Sequence, residues 1–429
     1  MRLSEFLPVH EAEFAGLMTP YGPFPADEAR YRVAVAVSGG ADSLCLGLLA
    51  HRWRARSVAL IVDHGLRPEA AREAQETQQL LTRQGVEAHI LRLTHLSKMR
   101  GVQARARAAR YDIFTRWCRQ HGIMDLLVAH HRRDQAETYF LRKEKRSGAA
   151  GLAGMAAARF TPDVRIIRPL RDMPPERLRA TLDAENIKWV EDPSNLNAQF
   201  RRVAIRQSVS KQDIDRALSE TRRHAALRQK AETSLATYCG QLIPHPFGFV
   251  RILGELPSAD ILSRICQAVS GADWAPSRRR LAQLREAPQD TTLGGVWLFQ
   301  RRHAGVTRGW CLVREPVAAA QLINVDDAAL AEDLIWDQRW RLQGRPVPGI
   351  AIRRLGRAAS QFKSRDLPAR CLMALPAIWR GDRLIAVPHF GFCNDEAVAQ
   401  LRFVAWRRAP VTDASLWCQA PPEAPYSRL

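Results

Sequence analysis

Six consecutive residues, Ser38-Gly39-Gly40-Ala41-Asp42-Ser43, stand between an apolar run, Val33 to Val37, and a helical pattern, Leu44 to Trp53. Two glycines let the backbone turn tightly, so that successive N–H groups point into one concavity. The helix that follows adds the positive potential of its N-terminal end, and the combination suits a phosphate group. No lysine stands where a Walker A loop requires one, and G-x-G-x-x-G is absent, which argues against both a P-loop NTPase and a dinucleotide fold.

The elements that must position this loop alternate. Val33 to Val37 reads as a buried strand and Leu44 to Trp53 as a helix; Ser57 to Asp63 reads as a second strand, followed by a helix near Glu69 to Gln84. His89 to Leu93 is a third strand, Gln103 to His121 a helix, Asp125 to Ala129 a fourth strand, and the chain is helical again from Asp134. Such spacing predicts βαβ units, hence a parallel, doubly wound α/β sheet with helices on both faces. Asp63 and His64 end the second strand, and a sheet of this class binds ligand at the carboxyl ends of its strands, so both face the nucleotide crevice. Beyond about residue 205 the character changes. Ser210 to Leu242 is charged, Ala-rich and helical, 249–314 is mixed, and 334–403 is β-rich. The expected domains are therefore 1–208, catalytic; 209–325, helical and mixed; and 326–429, small and β-rich.

A chain of 429 residues exceeds one ordinary core. Its 46% hydrophobic and 25% charged content is that of a folded globular protein. Sixty-four Lys and Arg against 44 Asp and Glu leave a formal +20, which points to a polyanion and first of all to nucleic acid. Eight scattered cysteines include no C-x-x-C pair, so neither a zinc ribbon nor a redox pair is written here, and reduced, buried thiols are expected. No run of about 18 apolar residues predicts a membrane span. The first twenty residues lack the apolar core of a secretory signal, so the expected location is cytoplasmic.

Directly after a buried strand, S-G-G-x-D-S resembles the pyrophosphate loop of the N-type ATP pyrophosphatases, the PP-loop enzymes, which split ATP between its α- and β-phosphates. The resemblance assigns Ser38, Gly39, Gly40, Ala41 and Ser43 to ATP, together with Asp63 and His64. Asp42 becomes the magnesium ligand, since a hard cation that bridges phosphates prefers a carboxylate.

Further segments narrow the resemblance. They are Val62-Asp63-His64-Gly65-Leu66-Arg67, Gln103 to Tyr111, Ala129-His130-His131, and Asp134 to Thr138. Ser147-Gly148, Gly151 to Met155, Arg168-Pro169-Leu170 and Trp189 to Asn195 follow. In that order, over about 32–206, the series is similar to the tRNA(Ile)-lysidine synthase family, with a weaker echo at Leu375 to Trp379 and Ala386 to His389. The resemblance implies activation of O2 of cytidine 34 by ATP in a CAU anticodon, then displacement of AMP by free L-lysine. It places Asp134 and Glu137, at i and i+3 on one helix face, against lysine or the metal. His131 would contact phosphate or the cytosine carbonyl region, and with Asp42 these three form the expected catalytic set. Read without the resemblance, acids at a helix start also serve as caps. Arg110, Arg201, Arg202 and Arg206 are expected on the tRNA, with Arg278 to Arg280 and Arg301-Arg302 in the wider basic footprint, and a homodimer is compatible with all of this.

Three positions depart from the family pattern. Arg132-Arg133 precede a single Asp134 where two acids are usual; Arg146 stands where a glycine is expected; and Ala204 stands where a second arginine is typical. Two other classes compete. A PP-loop 2-thiolation enzyme would need the paired cysteines that this chain lacks. A tRNA-binding protein with a drifted site draws support only from the altered 132–146 stretch.

Overall fold

The structure, a computed structural model, describes residues 6–27, 31–65, 69–93, 102–190, 201–303, 306–326, 334–362, 367–406 and 411. Leu66, Arg67 and 191–195 of the segments above lie outside the described residues, as do the side chains of Gln103, Ala104, Arg202 and Arg302. Two compact units are present, Met1–Glu232 and Thr233–Thr412.

The first unit runs α1 (Glu11–Met18), β1 (Val33–Val37), α2 (Ala41–Trp53), β2 (Val58–Asp63), α3 (Ala70–Arg83), β3 (Glu87–Arg92), α4 (Val102–Gln120) and β4 (Asp125–Leu127). It continues α5 (Arg132–Glu144), α6 (Ala149–Leu152), β5 (Ala158–Phe160), β6 (Arg165–Ile167), α7 (Pro175–Asp183), α8 (Arg201–Ser208) and α9 (Lys211–Cys239), the last of which runs past the boundary at Glu232. The six strands order as β3-β2-β1-β4-β6-β5, parallel except for the antiparallel edge strand β5.

Both faces of this sheet are buried, as its apolar strands require. Val33, Val35 and Val37 pack on one side with Leu44 and Leu48 of α2 and Leu178 of α7. Ala34, Leu60 and Leu126 pack on the other with Phe114 and Cys118 of α4. Helix α3 buries Ala70, Ala74, Thr77 and Leu81, a spacing of four, three and four that keeps one stripe on the sheet. A bidentate pair, Arg165 Nε and Nη2 to Asp125 at 2.6 and 2.9 Å, clamps the short strands β6 and β4 together.

The order of strands decides where ligand chemistry can occur. From β1 the chain crosses to β2 on one side, and β4 lies on the other. The loops that leave β1 and β4 therefore diverge and open a crevice at the carboxyl edge, the topological switch point.

The second unit carries β7 (Leu242–Pro244), β8 (Val250–Leu253), α10 (Ala259–Ser270), α11 (Arg278–Glu286), β9 (Thr291–Leu293), β10 (Val296–His303) and β11 (Val306–Arg314). Its strands form an antiparallel sheet, β7-β8-β11-β10-β9, against which α10 and α11 bury Leu262, Ile265 and Leu281. Next come β12 (Ile323–Val325), β13 (Ile335–Trp336), β14 (Trp340–Gln343), β15 (Ile350–Arg354), α12 (Ala369–Met373), β16 (Pro376–Arg380), β17 (Arg383–Val387), β18 (Phe392–Cys393) and β19 (Arg402–Ala405). These give a five-stranded and a three-stranded antiparallel sheet around the buried Trp336, Trp340 and Ile378.

Among the described cysteines none is in a disulfide. Five are buried, Cys239 is half-buried, and Cys393, contrary to expectation, is exposed because it ends the short edge strand β18. Among the described residues no helix is long and apolar enough to cross a membrane.

Candidate active site

The loop after β1 folds through its own side chains. Ser43 Oγ accepts from the Ser38 N–H at 3.0 Å, lies 3.1 Å from Ser38 Oγ, and donates to the Gly40 carbonyl at 3.1 Å. Gly39 is buried with φ +84°, and a Cβ there would meet Thr77 Oγ1 at 2.5 Å. Glycine is thus required twice over, by conformation and by the approach of α3. Gly40 then caps α2, whose first turn holds Asp42. A polar first turn hid this start from the periodicity, which placed the helix at Leu44.

The loop after β4 supplies the other wall. His131 is extended and forms the N-cap of α5; its Nδ1 accepts from the Arg133 N–H at 3.2 Å, and its own N–H donates to Asp134 Oδ2 at 3.0 Å. With Nδ1 engaged as an acceptor, the ring proton belongs on Nε2. Nε2 lies 3.4 Å from Asp42 Oδ2 and 3.6 Å from Asp134 Oδ2. The expected pair Asp42 and His131 thus meets across the switch point, and Asp134 is a cap and a member of the charge cluster together.

Glu137, one turn on, is buried and takes no part in the cap. It accepts from Arg206 Nε at 2.7 Å, and Arg206 Nη2 lies 3.9 Å from Asp134. Sequence reasoning placed Arg206 on the tRNA; the fold places it in the acidic cluster, reached from α8 over a separation of 69 residues that leaves no local pattern. Arg107, stacked 5.3 Å from the Tyr111 ring and 3.3 Å from His130 Nε2, also adjoins this wall and was not singled out.

The electrostatics follow from burial and opposed charges. Burial disfavours the His131 cation, but the hydrogen bond to Asp42 and the charges of Asp134, Asp42 and Glu137 outweigh it and raise the pKa above 6.5. Burial likewise opposes the Asp134 anion, yet His131, His130 and Arg206 hold it below its ordinary 3.8. Two carboxylate oxygens in the cluster, Asp42 Oδ1 and Glu137 Oε2, are buried without a hydrogen-bond partner among the described residues. A buried, unpaired carboxylate oxygen is costly, so these are the atoms at which a bound cation would gain most.

The remaining candidates fall elsewhere. Asp63 is buried at the end of β2 and accepts from the Gly65 N–H at 3.0 Å, with His64 half-buried beside it on the same sheet edge. Arg110 is half-buried on α4, and Arg201, exposed, pairs with Glu144 at 3.1 and 2.5 Å.

Each departure from the family pattern has a local setting. Arg132 bonds Asp215 of α9 at 2.6 Å, and Arg133 donates to the Arg206 carbonyl at 3.0 Å, so both tie α5 to its helical neighbours. Arg146 has φ +51°, the left-handed conformation that favours glycine. Ala204 is half-buried on α8.

A model of the PP-loop domain matches residues 11–213. The tRNA(Ile)-lysidine synthase of Ruegeria pomeroyi is 32% identical over 391 residues, covering 85% of this chain and 90% of that protein. Its counterpart in Hyphomonas neptunium is 35% identical and covers 68% of this chain and 84% of its own. Among solved structures, the U34-tRNA thiolase NcsA from Methanococcus maripaludis has a TM-score of 0.41 at 18% identity, over 50% of this chain and 78% of that one.

Proposed function

Because the chain belongs to the tRNA(Ile)-lysidine synthases, we propose that it uses ATP to ligate free L-lysine to C2 of cytidine 34 in the CAU anticodon of tRNA(Ile). Cytidine O2 attacks the α-phosphorus and pyrophosphate leaves; an amine of lysine then attacks C2, AMP departs with the oxygen, and one proton is released. Basic residues, among them Arg110, Arg201 and Arg202, hold the tRNA while the target base is splayed from its stack. The reaction belongs in the cytoplasm, where tRNA, ATP and lysine meet.

The loop from Ser38 to Ser43, with the N-terminal end of α2, receives the pyrophosphate portion through backbone N–H groups. Asp42 fits a magnesium ion. Its Oδ1 is an unpartnered hard donor, and magnesium takes one or two carboxylates with phosphate and water rather than a protein cage. Among the described residues no group of three or more His, Cys, Asp or Glu offers such a cage. When bound, the ion would neutralise charge on the phosphates as pyrophosphate leaves.

The observation that carries the reading is the unpaired Oε2 of the buried Glu137, whose other oxygen is joined through Arg206 to Asp134 in the cluster that also holds His131 and Asp42. An ammonium ion supplies the missing donor, and the carboxylate can then accept the proton that frees the amine for attack. Arg206, already at 2.7 Å, shows that this carboxylate accommodates a cation and fixes its orientation.

The reading is tested by pyrophosphate release from ATP with tRNA(Ile) and lysine varied separately. Release should require the tRNA. Glu137→Gln should raise the KM for lysine about tenfold or more, while the dependence on ATP changes little. Release that proceeds without tRNA, or a Glu137→Gln enzyme with unchanged lysine KM, contradicts it.

A further inference from the structure

Arg168, the first residue of Arg168-Pro169-Leu170, follows β6 at the carboxyl edge of the sheet and takes no part in the acidic cluster. It is only 7% exposed. A cation so buried is costly without a carboxylate or several acceptors. The other buried arginines have them. Arg54 donates to the carbonyls of Ala26, Tyr31 and Pro25, and Arg339 donates to Asp337 and to the Ala374 carbonyl. Arg168 has one acceptor. Its Nη1 donates to the Ala156 carbonyl at 2.9 Å, its Nε is buried without a partner, and among the described residues no carboxylate pairs with it. The Nε–Nη2 edge is therefore unspent, and that edge grips an oxyanion through two parallel N–H bonds.

The neighbours share its sign. Burial, together with the repulsion of Arg159 and Arg107, outweighs the nearby Tyr111 and holds the guanidinium below its ordinary 12.5. It stays a cation at neutral pH all the same. Its place in the fold is fixed from two sides. Ile167 pairs with Leu127, and the Val128 N–H donates to the Ile167 carbonyl at 2.9 Å, so Arg168 stands beside the loop that carries His130 and His131. Arg107 reaches the same loop, 3.3 Å from His130 Nε2. On the other side, Ala156 follows Met155, which Gln135 of α5 holds by both backbone groups.

We infer that Arg168, with Arg107 beside it, is the anchor for a backbone phosphate of the tRNA next to the splayed cytidine. Three guanidiniums with one unspent edge make an anion site, and a phosphodiester answers it in charge and in shape. Free lysine does not, because its two ammonium groups outnumber its carboxylate. A nucleotide drawn out of its stack carries its phosphate inward, which lets so deep an arginine be reached. The assignment deepens the tRNA reading above and rests on it.

The test measures affinity of the full-length protein for a tRNA(Ile) transcript over a series of salt concentrations, together with Tm and the KM for ATP, in wild type, Arg168→Gln and Arg168→Lys. A second RNA carries an uncharged methylphosphonate at both linkages flanking cytidine 34. Arg168→Gln should weaken binding about tenfold and lower the slope of log affinity against log salt by about one. Its Tm should stay or rise, since an unpaired buried charge is removed, and its KM for ATP should not change. Arg168→Lys keeps the charge without the fork, so it should keep the slope and lose part of the affinity. The neutral linkages should weaken binding to wild type and add nothing to the loss in Arg168→Gln. Undiminished affinity in Arg168→Gln overturns the site. So does a wild-type protein indifferent to the neutral linkages, a result that needs no variant to fold. A raised KM for ATP with tRNA affinity intact would move the phosphate from tRNA to ATP and overturn it as well. Failure of the parent reading looks different, since the wild-type protein would not bind the transcript.

Discussion

The proton on His131 Nε2 lies between two carboxylates, 3.4 Å from Asp42 and 3.6 Å from Asp134. Its raised pKa gives stability a definite pH dependence. The folded protein binds the second ring proton, which makes His131 a cation facing these carboxylates, more tightly than the unfolded chain does, so the contribution is complete below pH 6.5 and is lost as pH rises through the raised value. Asp134 has the opposite sign. Its depressed pKa contributes above 3.8 and is lost only as pH falls through the lowered value, so the two windows do not overlap. Denaturant unfolding without ATP should therefore show wild type losing more stability than His131→Asn between pH 5.5 and 8.5. Parallel curves would contradict the charge arrangement. At this scale Asp42, His131, Asp134 and Glu137 were legible, because each stands in a local pattern at a strand end or helix start. Arg206 and Arg107 were not placed, since their partners come from other elements.

Helix α5 begins at the strongest point of the site and ends at its most strained. Ser147 N–H bonds the Arg142 carbonyl and Arg146 N–H bonds the Lys143 carbonyl, both at 2.9 Å, so the helix closes in a Schellman turn with Arg146 at the left-handed position. A side chain there costs about 1 kcal/mol relative to glycine. Arg146→Gly should accordingly stabilise the protein by about 1 kcal/mol in equilibrium unfolding, and a destabilised variant would show that the arginine makes a compensating contact. At the other end of the helix, Gln135 holds both the N–H and the carbonyl of Met155, at 2.7 and 2.9 Å, and so fixes Met155 to α5. Long elements were readable from the sequence because α2, α3 and β1 repeat their apolar pattern several times. The strands β5 and β6 were not, since three residues contain no period. The β10–β11 hairpin was read only as mixed, because Arg301 and Arg302 interrupt its apolar alternation.

For the whole molecule, topology joins distant pieces of chain: the loop after β1 brings Asp42, and the loop after β4 brings His131 and the acids proposed to manage a nucleophile. The parallel sheet was legible because strands and helices alternate at βαβ spacing, and the basic surplus pointed correctly to an RNA substrate. Family membership joins the two as one ligase, so ATP cleavage and attachment of lysine should be inseparable. The decisive measurement is single-turnover incorporation of radiolabelled lysine into a tRNA(Ile) transcript with a CAU anticodon, with ATP and magnesium, comparing wild type and Asp42→Ala. Incorporation that requires ATP and is lost in Asp42→Ala is the predicted result. Binding of tRNA and ATP by the wild-type protein without any lysine incorporated would contradict the account.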